Sequence, residues 1–156
     1  MSSNTNAAPT DQVDVRGPRF AAWVTTGVLI ATLLVGALNL PAAAVLLALQ
    51  SVVFAIGASR GPRQHPYGRI YAALVAPRLG PVTDREPVAP LKFAQLVGFV
   101  FAIVGTAGFA FGIPLLGVIA TAFALFAAFL NAAFAICLGC QLYPLFTRLR
   151  RTPVTH

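Results

Sequence analysis

Residues 93–138 read FAQLVGFVFAIVGTAGFAFGIPLLGVIATAFALFAAFLNAAFAICL, and this stretch decides the fold class of the chain. It contains no Asp, Glu, Lys, Arg or His, and the turn Gly-Ile-Pro at 112–114 divides it in two. Each half has roughly the 20 apolar residues that a helix needs to cross the hydrocarbon core of a bilayer. We therefore expect two membrane-spanning helices, at about 93–111 and 115–138, joined by a tight uncharged turn.

A second pair of apolar blocks lies nearer the N-terminus, at about 20–38 and 41–58. The whole chain is 58% hydrophobic and 10% charged, far from the usual balance of a soluble globular domain. Over segments this long and continuous, only helices satisfy their own backbone hydrogen bonds in lipid. The sequence therefore predicts an all-α polytopic membrane protein, with four helices arranged as two hairpins in one domain over residues 16–148.

All 11 Lys and Arg residues fall on one side of this predicted topology. They precede the first span, lie between the second and third, or follow the fourth, whereas the two tight turns are uncharged. Because Lys and Arg are enriched in cytoplasmic loops, both termini and the central loop are predicted to be cytoplasmic. Residues 1–15 are expected to be a flexible tail, and residues 149–156 a basic cytoplasmic tail.

The central loop carries one helical pattern, with apolar or aromatic residues at 67, 70, 71 and 74. This is the spacing of one helix face, so the loop is predicted to contain a short interfacial helix. Tyr67, Arg69 and Tyr71 are expected at the membrane interface. Trp23 and Arg148, near the ends of the outer spans, are expected there too.

Small residues mark the expected helix contacts. The fourth span has alanine at 120, 124, 128 and 132, and the third has the pair Gly108 and Gly112. Such patterns let helix backbones approach closely in lipid. Gln50, Gln95 and Asn131 are the intramembrane polar residues. Interhelical hydrogen bonds are the expected role of such residues, and ligand contact is the alternative.

The two cysteines of the chain, Cys137 and Cys140, belong to the run Cys-Leu-Gly-Cys-Gln-Leu-Tyr that ends at Tyr143. Three residues apart on a helix, the thiols are neighbours, and Gly139 permits the distortion that a disulfide needs. We expect the pair to close the fourth helix, where the negative end of the helix dipole disfavours a thiolate. Cys140, nearer water, is expected to attack and Cys137 to resolve. Packing of two small side chains is the alternative interpretation.

Several chemistries are not expected. The predicted spans contain no carboxylate or His, which leaves no proton relay and no pair of haem ligands. Two cysteines without a neighbouring His or carboxylate do not complete a zinc site, and there is no Gly-rich phosphate loop. We therefore expect no cofactor. The cationic residues flank apolar blocks, so the lipid bilayer rather than nucleic acid is their expected partner.

Several of these segments resemble a bacterial family of four-helix membrane proteins that is classed as a domain of unknown function. The resemblance rests on Pro90, on Phe93-Ala94-Gln95-Leu96-Val97-Gly98, and on the closing Cys-Leu-Gly-Cys with Tyr143. It extends over roughly residues 13–148, and the cysteine run with its following Tyr is the most specific part. It implies a bacterial inner-membrane protein, often encoded near thioredoxin-like or sulfurtransferase proteins.

Three functions of different classes stay open. The first is a dithiol partner, using Cys137 and Cys140, that exchanges electrons or sulfane sulfur with a cytosolic thioredoxin-like or rhodanese-like protein. The second is a non-catalytic accessory or scaffold subunit of a larger membrane complex, or a homo-oligomer, that would use the alanine ridge and the Phe-rich face beside it. The third is a small sulfur-anion permease, which would need polar groups along a path. We rank the three in that order.

Overall fold

A computed structural model describes residues 12–150 of the chain. Its elements, in chain order, are β1 (Gln12–Asp14), α1 (Arg16–Gly36), α2 (Leu40–Arg60), α3 (Pro66–Ile70), β2 (Arg85–Pro87), α4 (Val88–Ala110), α5 (Pro114–Phe134) and α6 (Leu138–Arg150). Among these residues, α1, α2, α4 and α5 are long and apolar enough to cross a membrane. The predicted all-α polytopic fold is confirmed, and the chain is a multi-pass membrane protein.

Both tight turns form at residues suited to reverse the chain. The side-chain oxygen of Asn39 accepts the backbone N–H of Ala42 at 2.9 Å and so caps α2. Gly112, between α4 and α5, has a φ of 72°, which glycine adopts without steric cost. Pro41 and Pro114 occupy the first turns of the following helices, where no N–H is required. These turns join α1 to α2 and α4 to α5, which gives the two hairpins predicted from the sequence.

The four spanning helices form a closed ring, in which α1 and α4 each contact both α2 and α5. The tightest packing lies towards the two turns, an end that we call the turn side. Each helix contributes a side chain there that is at most 1% exposed: Leu29, Leu47, Phe109 and Thr121. The opposite end, which holds the central loop and the ends of the described chain, is called the loop side.

Small residues make the close contacts between these helices. Three of the four alanines in the ridge at 120–132 are buried, and the fourth, Ala128, packs against the core, so the predicted ridge is confirmed. A Cβ on Gly108 would lie 2.5 Å from the backbone nitrogen of Gly117. The backbones of α4 and α5 are therefore in contact. In lipid, the van der Waals packing of such a close contact stabilises helix association.

The loop side is covered by short elements. After α3 the chain continues through a π-helical turn at Tyr71–Val75 and a 3-10 turn at Ala76–Arg78. β1 then pairs antiparallel with β2, and Val13 lies opposite Glu86. These segments close much of the loop side over the ends of the spanning helices.

Some expected boundaries are wrong. The fourth span does not run to Leu138, because Ala135 adopts a left-handed conformation and α5 ends at Phe134. Residues 12–14, expected in a flexible tail, form β1, because they gain hydrogen bonds to β2 and bury Val13. Residues 1–11, the remainder of that expected tail, lie outside the described residues.

Two further expectations change. Gly112 serves the turn rather than a helix contact, because nothing lies within 4 Å of where its Cβ would be. The expected basic tail at 149–156 begins inside a helix, since α6 reaches Arg150, and residues 151–156 lie outside the described part of the chain.

Candidate functional site

The two cysteines lie at the start of α6, where they form a disulfide with their Cα atoms 5.1 Å apart. Cys137 directly precedes the helix, and its carbonyl oxygen accepts the backbone N–H of Gln141 at 3.1 Å. Its sulfur accepts the backbone N–H of Cys140 at 3.2 Å. Cys137 therefore has the position and the bonding of an N-cap residue.

This geometry reverses an expectation from the sequence. The pair was expected to close a helix, whose negative end disfavours a thiolate; instead the pair opens one. The positive end of a helix and its free N–H groups stabilise a negative charge. On reduction, the helix therefore favours a thiolate at Cys137 rather than at Cys140, and Cys137 is the better nucleophile.

A left-handed residue creates the new helix start. Ala135 has a φ of 57°, and its N–H bonds back to the carbonyl oxygen of Asn131 in the last turn of α5. This is the usual way to end a helix, although glycine is the usual residue there. A guanidinium N–H of Arg19 in α1 donates to the carbonyl oxygen of Ala132 at 3.1 Å, which satisfies another acceptor at this helix end.

The start of α6 is held tightly against α4. A Cβ on Gly139 would lie 2.6 Å from both Cα and Cβ of Ala94, so only glycine fits between the two cysteines. Phe93 packs against the rings of Tyr143 and Phe146 at centroid distances of 5.9 and 5.0 Å. Tyr143, the motif residue, is thus a packing residue between α6 and α4. Pro144 lies inside α6, and the helix continues past it to Arg150.

Beside the disulfide lies a cavity of about 800 Å³ inside the ring of helices. Its walls come from α1, α2, α4, α5 and α6 and from the central loop, and Cys137 lines it whereas Cys140 does not. Along the spanning helices, the lining residues nearest the turn side are Thr25, Phe54, Phe101 and Phe123. The cavity therefore occupies the loop-side half of the bundle, and the tight packing around Leu47 and Phe109 closes it on the turn side.

The polar side chains of His65, Gln95 and Asn131 line this mostly apolar cavity, and the charged side chains of Asp14, Arg63 and Arg85 line it as well. His65 is only 2% exposed. Burial lowers the pKa of His65 to about 4, while the nearby side chain of Gln95 acts in the opposite direction, so the imidazole is neutral at physiological pH. Gly57 makes room for both, because a Cβ there would lie 2.6 Å from the His65 ring and 2.9 Å from the Gln95 oxygen.

The hydrogen bonds of His65 fix its tautomer. Its Nδ1 accepts the backbone N–H of Tyr67 at 3.3 Å, so the proton of the neutral ring is on Nε2. Among the described residues, neither Nε2 of His65 nor Oε1 of Gln95 has a hydrogen-bond partner. Gln95 is thus close enough to influence the imidazole without accepting a well-formed hydrogen bond from it. Since a buried polar group without a partner costs free energy, this donor and this acceptor are suited to a ligand.

The wall of the cavity on α5 includes side chains that are also exposed on the outside of the bundle. Phe123 and Phe126 line it, yet each is 58% exposed. The ring of Phe123 stacks on Phe101 of α4 at 5.8 Å. Trp23 of α1 meets Phe129 on the other face of α5 at 6.4 Å. The cavity wall on α5 is therefore only partly covered by protein at Phe123 and Phe126.

The two tyrosines expected at the interface point inwards. The hydroxyl of Tyr67 donates to Oε1 of Gln50 at 2.7 Å, whereas Nε2 of Gln50 has no partner in the described chain. Tyr71 is 6% exposed, and its hydroxyl donates to Asp14 at 3.1 Å. Burial raises the pKa of the Asp14 carboxyl, but hydrogen bonds from Arg16 and Tyr71 outweigh burial and lower it overall. These bonds tie the central loop to the bundle.

The remaining predicted interface residues are accessible. Trp23 is 51% exposed on α1, Arg69 is exposed on α3, and Arg148 is exposed in the last turn of α6. Placement at a membrane interface stays a prediction for all three. Of the predicted site residues, the structure brings Cys137, Gln95 and Asn131 to one cavity. Gln50 lies outside its lining and is bonded to Tyr67 instead.

Sequence reasoning missed His65 as a site residue. It lies in the central loop, outside the apolar spans, and is not among the predicted site residues. The signal available was the pair His65-Pro66 at the start of the helical pattern, because proline is common in a first helical turn and His65 immediately precedes it. That signal places His65 at a helix start but does not indicate its burial. Among the described residues, no group of three His, Cys, Asp or Glu side chains is placed to hold a metal ion.

The chain matches the family described as Domain of unknown function (DUF4395) over residues 13–148, and it belongs to that family. The resemblance stated from the sequence is confirmed at this level. No curated protein and no solved structure matches the chain.

Proposed function

We propose that this member of the DUF4395 family is a dithiol–disulfide redox protein of the bacterial inner membrane, which exchanges electrons with a cytosolic thioredoxin-like protein. The observation that carries the proposal is the Cys137–Cys140 disulfide at the N-terminus of α6. A thiolate at such a position is stabilised by the helix dipole and by backbone N–H groups. The spacing and the local helix are those that a reversible dithiol needs.

The surroundings of the pair also favour a chemical role over simple packing. Gly139 lies against the backbone of Ala94, so the pair is fixed relative to α4. Cys137 lines a large cavity instead of being enclosed by neighbouring side chains. A cysteine that serves only as a small apolar filler does not need to line a cavity.

The charge distribution supports a cytoplasmic location for the pair. Every Lys and Arg of the sequence falls on the loop side of the topology, which the positive-inside bias assigns to the cytoplasm. The start of α6 lies at the same end of the bundle. The cytoplasm is reducing, so the disulfide would be a transient state of a catalytic cycle rather than a permanent structural bond.

The permease alternative has less support. Its path would have to cross the bundle, but the turn-side half is filled by side chains such as Leu29, Leu47 and Phe109 that are at most 1% exposed. The accessory-subunit alternative draws on exposed rings along α5, including Phe134 at 62%. Lipid covers such rings equally well, so they favour neither interpretation.

The test uses the purified protein in lipid nanodiscs with its disulfide formed. Reduced thioredoxin is added, and free thiols are counted by a gel shift with a polyethylene glycol maleimide. We expect reduction of the pair, and a trapped mixed disulfide with a thioredoxin that lacks its resolving cysteine. A rhodanese carrying a persulfide serves as a second candidate partner.

The control is the double variant Cys137→Ser, Cys140→Ser, which cannot form the mixed disulfide. If thioredoxin reduces the pair no faster than glutathione at equal thiol concentration, and the double variant complements a deletion under oxidative and sulfur stress, the redox proposal fails. The accessory-subunit interpretation would then replace it.

A further inference from the structure

We propose that the cavity binds the head group of a membrane quinone, and that the Cys137–Cys140 dithiol reduces this quinone. The inference rests on the proposed dithiol function and names the second substrate of the same site. It combines the size of the cavity, its partly exposed wall, two polar groups without partners in the described chain and the presence of Cys137 in its lining.

The size and the walls of the cavity suit a ring with an isoprenoid tail. Its volume of about 800 Å³ lies within the range of roughly 300–1,000 Å³ that is usual for small-molecule sites. Most of the lining side chains are apolar, as Ala127, Val97 and Leu142 illustrate. Phe123 and Phe126 line the cavity and are each 58% exposed, so an apolar tail could reach lipid at this part of the wall. An apolar ligand delivered by the bilayer fits these walls.

The two polar groups fit both redox states of a quinone. The quinone carbonyl oxygen is an acceptor, and Nε2–H of His65 is a buried donor that has no partner in the described chain. After reduction the same oxygen carries a hydroxyl, which donates a hydrogen bond, and Oε1 of Gln95 is an acceptor without a partner beside it. A lipid acyl chain would fill the cavity but would leave both groups unsatisfied.

The reaction balances without a further reactant. The reduced pair begins with Cys137 as thiolate, favoured by the start of α6, and Cys140 as thiol. The Cys137 sulfur attacks the quinone ring and forms a covalent adduct; Cys140, as thiolate, then attacks Cys137, the carbon–sulfur bond breaks, and the disulfide forms. Two electrons pass from the pair to the quinone. One proton comes from the Cys140 thiol and the second from water, which took up the proton of Cys137 when its thiolate formed, so both quinone oxygens are protonated and the quinol results. Thioredoxin then reduces the disulfide again.

Binding is tested first, on the oxidised protein, which holds its disulfide and cannot transfer electrons. Nanodiscs with and without the protein are titrated with decylubiquinone, and bound quinone is measured after separation of the discs. We expect saturable binding. His65→Phe should weaken it about tenfold, the equivalent of one good hydrogen bond, and His65→Gln, which retains a donor, should restore part of the loss.

A steric pair of variants separates the cavity from the surrounding lipid. Ala127→Phe places a ring in the cavity, whereas Ala122→Phe places the same ring on the exposed face of the same helix, outside the cavity. We expect Ala127→Phe to lose saturable binding and Ala122→Phe to retain it, with both proteins monodisperse. Equal binding in both, or binding no greater than that of empty discs, overturns the inference.

Reduction is tested next with the dithiol form. One equivalent of reduced protein should convert one equivalent of decylubiquinone to the quinol, read by the loss of quinone absorbance, and should recover its disulfide. If thioredoxin reduces the disulfide but the dithiol leaves the quinone unchanged, the quinone inference is wrong and the proposed redox function stands. If the quinone is reduced but no thioredoxin exchange occurs, the quinone inference is supported and the proposed partner is wrong.

Discussion

The backbone N–H of Cys140 lies 3.2 Å from the sulfur of Cys137, which places that sulfur at the positive end of α6. The two thiols are therefore not equivalent once the disulfide is reduced, because the helix stabilises a negative charge on Cys137 only. This relationship favours Cys137 as the attacking thiol.

The first prediction follows from this inequivalence. In the reduced single-cysteine variants Cys140→Ser and Cys137→Ser, we expect Cys137 to react several-fold faster with iodoacetamide near pH 7 than Cys140 does. The measurement is the pseudo-first-order rate of alkylation, followed by mass spectrometry. A faster Cys140 would mean that its nearness to water outweighs the helix dipole. Unfolded protein provides the control, in which the two rates should converge.

A second prediction concerns the contact that fixes the pair on α4. Gly139→Ala forces a Cβ to within 2.6 Å of Ala94, so α6 must shift, and we expect a destabilisation of about 1–3 kcal/mol from overpacking. Gly27→Ala is the matched control, because nothing lies within 4 Å of a Cβ at that helical position. The control should be neutral or stabilising by up to about 1 kcal/mol. Unfolding in detergent mixtures measures both, and equal effects would contradict the close contact.

The left-handed residue at the end of α5 gives a third prediction. Ala135 has a φ of 57°, a region that costs an L-residue roughly 1–2 kcal/mol. Ala135→Gly should therefore stabilise the fold by up to about 1 kcal/mol, after the entropy cost of glycine is subtracted. Ala133→Gly, two residues earlier and helical, should destabilise by about 1 kcal/mol. Opposite signs for these neighbours would support the helix break; a common sign would argue for a continuous helix.

The fourth prediction concerns acidic pH. Burial lowers the pKa of His65 in the folded state to about 4, from an ordinary value of about 6.5. Between these pH values the imidazole is protonated in the unfolded chain but not in the folded one. The contribution of neutral His65 to the free energy of unfolding is complete above about pH 6.5. It is lost as the pH falls towards 4, at up to about 1.4 kcal/mol per pH unit.

The variant His65→Gln isolates this effect. Its stability should change less than that of the original protein between pH 6.5 and pH 4.5, as measured by thermal unfolding in detergent. Burial raises the pKa of Glu86, so its effect on the pH dependence of stability has the opposite sign to that of His65. Glu86 is present in both proteins, so its effect cancels when their pH profiles are compared. Parallel pH profiles would show that His65 becomes charged in the folded protein.

A fifth prediction tests the orientation in the membrane. On a cysteine-free background, Leu38→Cys and Phe111→Cys place thiols at the two tight turns, where the side chains are 90% and 80% exposed. Leu74→Cys places one on the central loop, where the side chain is 62% exposed. In intact cells, a membrane-impermeant maleimide should label the turns and not the loop, and in inverted vesicles the pattern should reverse. Labelling of Leu74→Cys in intact cells would invert the topology.

The sequence by itself determined the membrane class and the number of spanning helices. Apolar length and the absence of charge are local properties, and a bilayer imposes the same requirement on every segment. The alanine ridge could be predicted for a similar reason, because residues four apart share a helix face whatever surrounds them.

Only the tertiary structure decided where the fourth helix ends and what lies beside the cysteines. The apolar run continues unbroken through Ala135, so composition gives no sign of the left-handed turn that separates α5 from α6. That turn depends on contacts from distant parts of the chain, including Arg19 at the end of α5 and Ala94 against Gly139. The position of His65 in the site also depends on tertiary contacts. His65 is buried because α2 and α4 pack together beside the central loop. The local sequence around a polar loop residue does not indicate such packing.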